Sequence, residues 1–241
     1  MTRPLLAFVT LTLGLAVQAG AATWEAGKHY DVLPQAQRTT VAPGKVEVME
    51  VFSYGCPACD HFQPTMKKIK AALPANAQMA YLPASWNASE NWPTFQRAYI
   101  TAKTLGVAEK AHDEMFNAIW TTGELGVLEG ITSGRPKRNL PTIEDIAKFY
   151  QRLTGTKAAD FVAASKSFSV DLKMRQADAQ IIAMRVTGTP TMVVNGKYRI
   201  NGDLVRTPEE FIGVIRFLIA KESAPKPAQV PAAAPAPAKK S

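Results

Sequence analysis

The sequence predicts an α/β fold in which a β-α-β unit and a β-β-α unit are separated by a helical insertion. Three observations predict it. An apolar strand pattern, VEVMEVFS at 46–53, runs directly into a helical pattern, PACDHFQPTMKKIKAAL at 57–73. From Pro93 to Val186 the ordered stretches have helical rather than strand spacing. The chain then returns to a hairpin pattern, TMVVNGKYRIN at 191–201, and a closing helix, TPEEFIGVIRFLIAK at 207–221.

The first 21 residues read as a signal peptide. Arg3 is followed by the uncharged run LLAFVTLTLGLAV and then by Ala19-Gly20-Ala21, a small-residue cleavage site. About 13 apolar residues fall short of the roughly 20 that a spanning helix needs, so cleavage and export are expected rather than anchoring. At the other end, SAPKPAQVPAAAPAPAKKS has no aromatic residue and cannot build a core, so residues 224–241 are expected to be a disordered tail. The formal charge of +8 overstates the body of the chain. Arg3, Lys226, Lys239 and Lys240 lie in the two ends, and no acid does, which leaves +4 in between. No basic face with interleaved aromatics points to nucleic acid.

Between these ends each element has its own signal. VEVMEVFS is apolar enough for a buried strand. In the following helix Phe62, Met66, Ile69 and Leu73 recur at helical spacing, and Pro64 is expected to kink it by removing one backbone donor. QMAYLPA at 78–84 is a second short strand. PTFQRAYITAKTLG and AEKAHDEMFNAIW are helical, and a glycine-rich basic loop follows at 121–140. PTIEDIAKFYQRLTG, KAADFVAASKS and SVDLKMRQADAQIIAMRV complete the insertion. Thr142 and Thr207 are expected helix caps, each with acids in the first turn behind it. Asn195-Gly196 supplies the positive φ angles of a type I′ hairpin turn.

The only two cysteines, Cys56 and Cys59, sit at the junction of the first strand and helix. As a structural staple they gain little: closing a four-residue loop is worth about 1.9 kcal/mol, against about 4.7 for a 100-residue loop. As a zinc site they fit poorly: a closed site needs four ligands, and beyond the cysteines there are three histidines, His29, His61 and His112, and no second CxxC. Covalent haem needs histidine directly after the second cysteine, and residue 60 is Asp. No metal or cofactor is therefore expected. Redox chemistry fits the spacing. With Cys56 at the N-cap and Pro57 first in the helix, the sulfurs come within disulfide range. The free N–H of Cys59 and the positive helix end then stabilise a Cys56 thiolate. This predicts an exposed, anionic Cys56 sulfur and a sheltered Cys59.

Two distant positions have open readings. Glu50 shares strand parity with Val46, Val48 and Phe52. It is either a buried carboxylate exchanging protons with Cys59, or an edge or paired surface acid. Pro190, after Thr189, marks the start of a strand, and its preceding bond is either trans or cis. His61 and His112 read as helix-surface residues.

Strand, CPAC, helix, helical insertion, GTPT and hairpin together resemble the thioredoxin fold, over roughly 40–222. The acid six places before Cys56, the insertion and VVNGKY are more specifically similar to the periplasmic disulfide oxidases of the DsbA type. The resemblance implies a thioredoxin-like domain at 22–88 and 177–223 and a helical insertion at 89–176. It implies that Cys56 is the nucleophile, Cys59 the resolving cysteine, Glu50 the buried acid and Pro190 a cis-proline facing the pair. Thr189 would offer its backbone to an extended substrate. The implied activity is donation of the Cys56–Cys59 disulfide to reduced, unfolded exported polypeptides in the periplasm by a monomer, with reoxidation by a membrane quinone-linked partner of the DsbB type. Two positions depart from that pattern: Ala58 replaces the usual histidine, and Thr189 the usual valine. Threonine there is reminiscent of the disulfide isomerases. An isomerase or reductase is thus one alternative, and a polypeptide-binding chaperone without redox chemistry another.

Overall fold

The computed structural model describes residues 23–130 and 133–224. The expected signal peptide, and all of the expected tail except Ala224, lie outside them. Five strands form one mixed sheet: β1 (Tyr30–Val32), β2 (Val46–Phe52), β3 (Ala77–Pro83), β4 (Thr191–Val194) and β5 (Tyr198–Ile200), in the order β1-β5-β4-β2-β3. β2 pairs parallel with β3 and antiparallel with β4. Every residue of β2 is buried, because helices cover both of its faces.

The β-α-β unit is β2, α1 (Pro57–Ala72) and β3; α1 runs unbroken through Pro64. The insertion holds α2 (Trp92–Thr104), α3 (Ala108–Phe116), a π-helical turn at Asn117–Thr121, α4 (Ile143–Thr154) and α5 (Ala158–Ser165). α6 (Phe168–Ala183) runs through residue 177, where the sequence reading puts the return to the first unit. α7 (Pro208–Ser223) closes the fold. Both expected caps form. Thr142 and Asp145 make a reciprocal capping box, as do Thr207 and Glu210. Asn195 (φ 52°) and Gly196 (φ 62°) make the hairpin turn. Gly196 is also required by contact, since a Cβ there would lie 2.3 Å from the Gln37 carbonyl oxygen.

β1 is an addition to the expected order. It pairs antiparallel with β5, Tyr30 opposite Ile200. Three residues carry too little alternation to signal a strand, and the pairing partner lies at the far end of the chain. The end of α7 is fastened to the hairpin through Glu222. Its carboxylate accepts from Asn195 Nδ2 at 2.5 Å and Tyr198 Oη at 2.8 Å, and also binds the Lys197 ammonium.

The core has two parts. One lies between the sheet, α1 and α7, with Val48, Met66, Ile69, Met192, Ile215 and Leu218. The other fills the helical insertion and continues through Phe52 and Tyr54 to Cys56 and Cys59. The cysteine pair therefore sits where the sheet meets the inserted helices.

Candidate active site

β2 ends at Phe52, and the turn Ser53-Tyr54-Gly55 delivers Cys56 to the N-cap of α1. The Cys56 N–H donates to Ser53 O at 3.1 Å. Cys56 is extended (φ −89°, ψ 116°), and Pro57 takes the first helical position, where no backbone donor is needed. One turn on, the Cys59 N–H donates to Cys56 O at 3.1 Å. Both cysteines are present as thiols.

The Thr189–Pro190 peptide is cis and brings the Thr189 carbonyl to the sulfur: Cys56 Sγ donates to Thr189 O at 3.5 Å. This loop largely covers Cys56, which is 5% exposed against 0% for Cys59. The exposed sulfur expected from helix geometry is thus corrected to one reached through a narrow opening. The covering loop is 133 positions away in sequence, so local geometry could not reveal it. Pro57 and Ala58 beside it are exposed.

The two thiols are driven apart. The Cys59 thiol, foremost, stabilises a Cys56 thiolate; the Thr189 side chain and the N–H groups of Cys59 and Ala58 add to this. Together they outweigh burial and lower Cys56 to about 6. Cys59 is pushed well up by burial, then by its bond to Cys56 and the nearby charges of Cys56 and Glu50. We therefore expect thiolate absorbance to show one transition near pH 6, with Cys59 protonated throughout the neutral range. A transition near the ordinary thiol value of about 8.5 would show that Cys59, Thr189 and the helix N–H groups do not act on the sulfur.

Glu50 is 0% exposed, and neither carboxylate oxygen has a partner. Its strand is central in the sheet, so it is no edge acid, nor is it paired. Burial, and then the Cys56 charge, hold its carboxyl well above the usual range. Tyr81 lies opposite it on β3 and Met192 on β4. Glu47, on the same buried strand, differs: its Oε2 accepts from the Thr40 N–H at 2.6 Å and hydroxyl at 2.9 Å.

Sequence reasoning missed His112. It is no surface residue but 4% exposed, with Nδ1 3.0 Å from Tyr54 Oη and its ring against Tyr81, 4.2 Å between centroids. Burial lowers it to about 4. The signal was present in the stripe Ala108, Ala111, His112, Met115, whose members are all buried. His61 is exposed, as expected. Beside Thr189 and Pro190 lies a cleft of about 820 Å³, lined also by Phe62, Phe211 and four charged residues, Asp31, Arg199, Asp203 and Arg206.

Comparison with known proteins places this geometry. Residues 137–208 match the family described as DSBA-like thioredoxin domain. The thiol:disulfide interchange protein DsbA of Pseudomonas aeruginosa is 34% identical over 211 residues, 88% of this chain and 90% of that protein. The chain belongs to the DsbA family. Crystal structures agree: a point variant of the Pseudomonas aeruginosa DsbA superposes with a TM-score of 0.71 at 33% identity, covering 84% of this chain and all of the other. DsbA from Xylella fastidiosa gives 0.70 at 30% identity, covering 83% and 98%. As a DsbA-family member with a thioredoxin fold, the protein is a thiol–disulfide oxidoreductase. Its DsbA site carries Ala58 between the proline and the second cysteine, so the Cys56 thiolate is held without an imidazole from that position.

Proposed function

We propose that the protein is an oxidase that donates its Cys56–Cys59 disulfide to reduced, unfolded exported polypeptides. The observation that carries this is the split between the sulfurs, with Cys56 lowered to about 6 and Cys59 pushed well up. A substrate thiolate attacks Cys56 Sγ. The substrate–Cys56 bond forms, the Cys56–Cys59 bond breaks, and Glu50 supplies the proton that Cys59 takes as it leaves. A second substrate thiol, as thiolate, then attacks its own half of the mixed disulfide and releases Cys56 as the stable anion. The substrate loses two electrons and the dithiol gains them. Thr189 and the cis Pro190 lie against Cys56, which supports a role in aligning an extended chain by its backbone. Reoxidation is assigned to a membrane quinone-linked partner of the DsbB type. The work is assigned to the periplasm, as the signal-peptide reading of residues 1–21 supports.

A low thiolate pKa stabilises the reduced protein. Its folded value lies below the unfolded one, so the gain is full above about pH 8.5 and lost as pH falls through about 6. At pH 7 it is worth about 1 to 2 kcal/mol, at about 1.4 kcal/mol per pKa unit. Equilibration with glutathione, together with denaturation of both redox forms, tests the proposal. The expected results are a potential well above the thioredoxin value of about −270 mV and a reduced form more resistant to denaturant. A potential at or below that value, with the oxidised form the more stable, would overturn donation and favour a reductase.

A further inference from the structure

Tyr54, two places before Cys56, is held at both ends by one segment of the insertion. It is buried, and its Oη lies 3.0 Å from Nδ1 of His112 on α3. Its carbonyl oxygen accepts from Trp120 Nε1 at 2.8 Å. His112 and Trp120 are eight positions apart. On an α-helix, at about 100° per residue, that spacing leaves two side chains about 80° out of line. The π-helical turn at Asn117–Thr121 takes up the offset. There the Thr122 N–H donates to Asn117 O at 2.9 Å, five residues back, so the turn holds one residue more than an α-helical turn. The helix thus departs from its regular form, and both side chains reach the same residue of the active-site turn. Such π turns are rare and frequently mark functional sites.

The peptide that Trp120 grips joins Tyr54 to Gly55. Its N–H is held as well, donating to Ser53 Oγ at 3.2 Å. The next N–H, of Cys56, donates to Ser53 O at 3.1 Å. With its carbonyl bound by the indole, this peptide cannot rotate, and the direction in which the chain enters α1 is set. That direction decides whether the Cys56 sulfur, at the N-cap, meets the free N–H groups of Ala58 and Cys59. Ala58 supplies no imidazole, so the thiolate depends the more on these backbone donors and on the turn that presents them. We propose that Trp120 is a positioning residue for the redox pair: by holding the Tyr54 carbonyl it keeps the Cys56 sulfur aligned on the helix N-terminus, and so makes the disulfide easier to reduce. It acts through the turn rather than on a sulfur. The proposal rests on the thiol–disulfide activity of the family and holds whichever way the disulfide passes.

The test compares the unmodified protein with two replacements. Trp120→Phe keeps a ring but loses the donor. Exchange of the Trp120 indole for the isosteric benzothiophene loses the donor and keeps the shape. Val170→Ala, at a buried position on α6, is the control for a general loss of packing. Thiolate absorbance against pH, and equilibration with glutathione at pH 8, are read for each protein. Both Trp120 replacements should raise the pH of the Cys56 transition. Both should also lower the equilibrium constant for reduction of the disulfide by about two- to tenfold, the scale of one hydrogen bond. The two readouts should move together, because a less stable thiolate takes the same stabilisation from the reduced form. Val170→Ala should be less resistant to denaturant, with both readouts unchanged. Unchanged readouts in the two Trp120 replacements would overturn the positioning role. So would an equal shift in Val170→Ala, which would mean that the readouts follow stability alone.

Discussion

In a Cys59→Ser variant, covalent complexes with exported polypeptides should accumulate and run as high-mass bands on non-reducing gels. The geometry sets the expectation. Cys56 is the only one of the two sulfurs with any opening to solvent, at 5% exposure against 0%, so the intermolecular bond forms there. In this variant the Cys56 thiolate still attacks a polypeptide disulfide and expels one of its sulfurs as thiolate, but the Cys59 sulfur that would release the polypeptide by attacking Cys56 Sγ is missing, and serine cannot supply it. Cys56→Ser should give no complexes and should lower turnover by about a thousandfold or more, the scale on which loss of a covalent nucleophile is felt. The chaperone alternative makes the opposite prediction, since polypeptide binding alone survives loss of both cysteines. Complexes trapped by Cys56→Ser and not by Cys59→Ser would reverse the two roles.

Replacing Glu50 by leucine should make the protein more stable and slower. The carboxyl group is fully buried and neither oxygen has a partner. Removing such a group is expected to gain about 1 to 3 kcal/mol. The gain should depend on pH. The folded pKa is raised, so the native state holds a proton that the unfolded chain releases above about pH 4.3. Wild-type stability therefore falls as pH rises from there toward the folded value, and the advantage of Glu50→Leu widens over the same range. The cost falls on proton transfer. With Cys59 pushed well up, its departure as a leaving group and its return as an attacking thiolate both need a nearby acid–base group. Formation of the mixed disulfide, and its reversal by Cys59, should slow by about a hundredfold, within the usual range for such a group. Urea melts at acid and mildly alkaline pH, with stopped-flow kinetics of the mixed disulfide, measure both effects. A variant that is less stable and equally fast would show that Glu50 is structural.

Local chemistry made much of the molecule legible. The strand–CPAC–helix junction, the Asn195-Gly196 turn and the caps at Thr142 and Thr207 each depend on a few consecutive residues, and each forms where the sequence puts it. What was hidden depends on distant parts of the chain. β1 exists only through its pairing with β5. The cover over Cys56 comes from Thr189. Glu50 stayed ambiguous because alternation distinguishes faces only when one of them meets water. β2 meets water on neither, so parity could not tell a buried carboxylate from a surface one. His112 was misread for a different reason: its polar identity outweighed an apolar stripe that includes it.

The Glu222 clamp has a practical consequence. Because that carboxylate grips the hairpin turn at Asn195, Lys197 and Tyr198, the last turn of the closing helix cannot fray without unfastening the sheet. Ala224 thus leaves the folded body from a fixed point. A dye, bead or surface attached at Ala224 would report on, or immobilise, the whole domain in one orientation. Neutralising Glu222 would convert that rigid mount into a loose one.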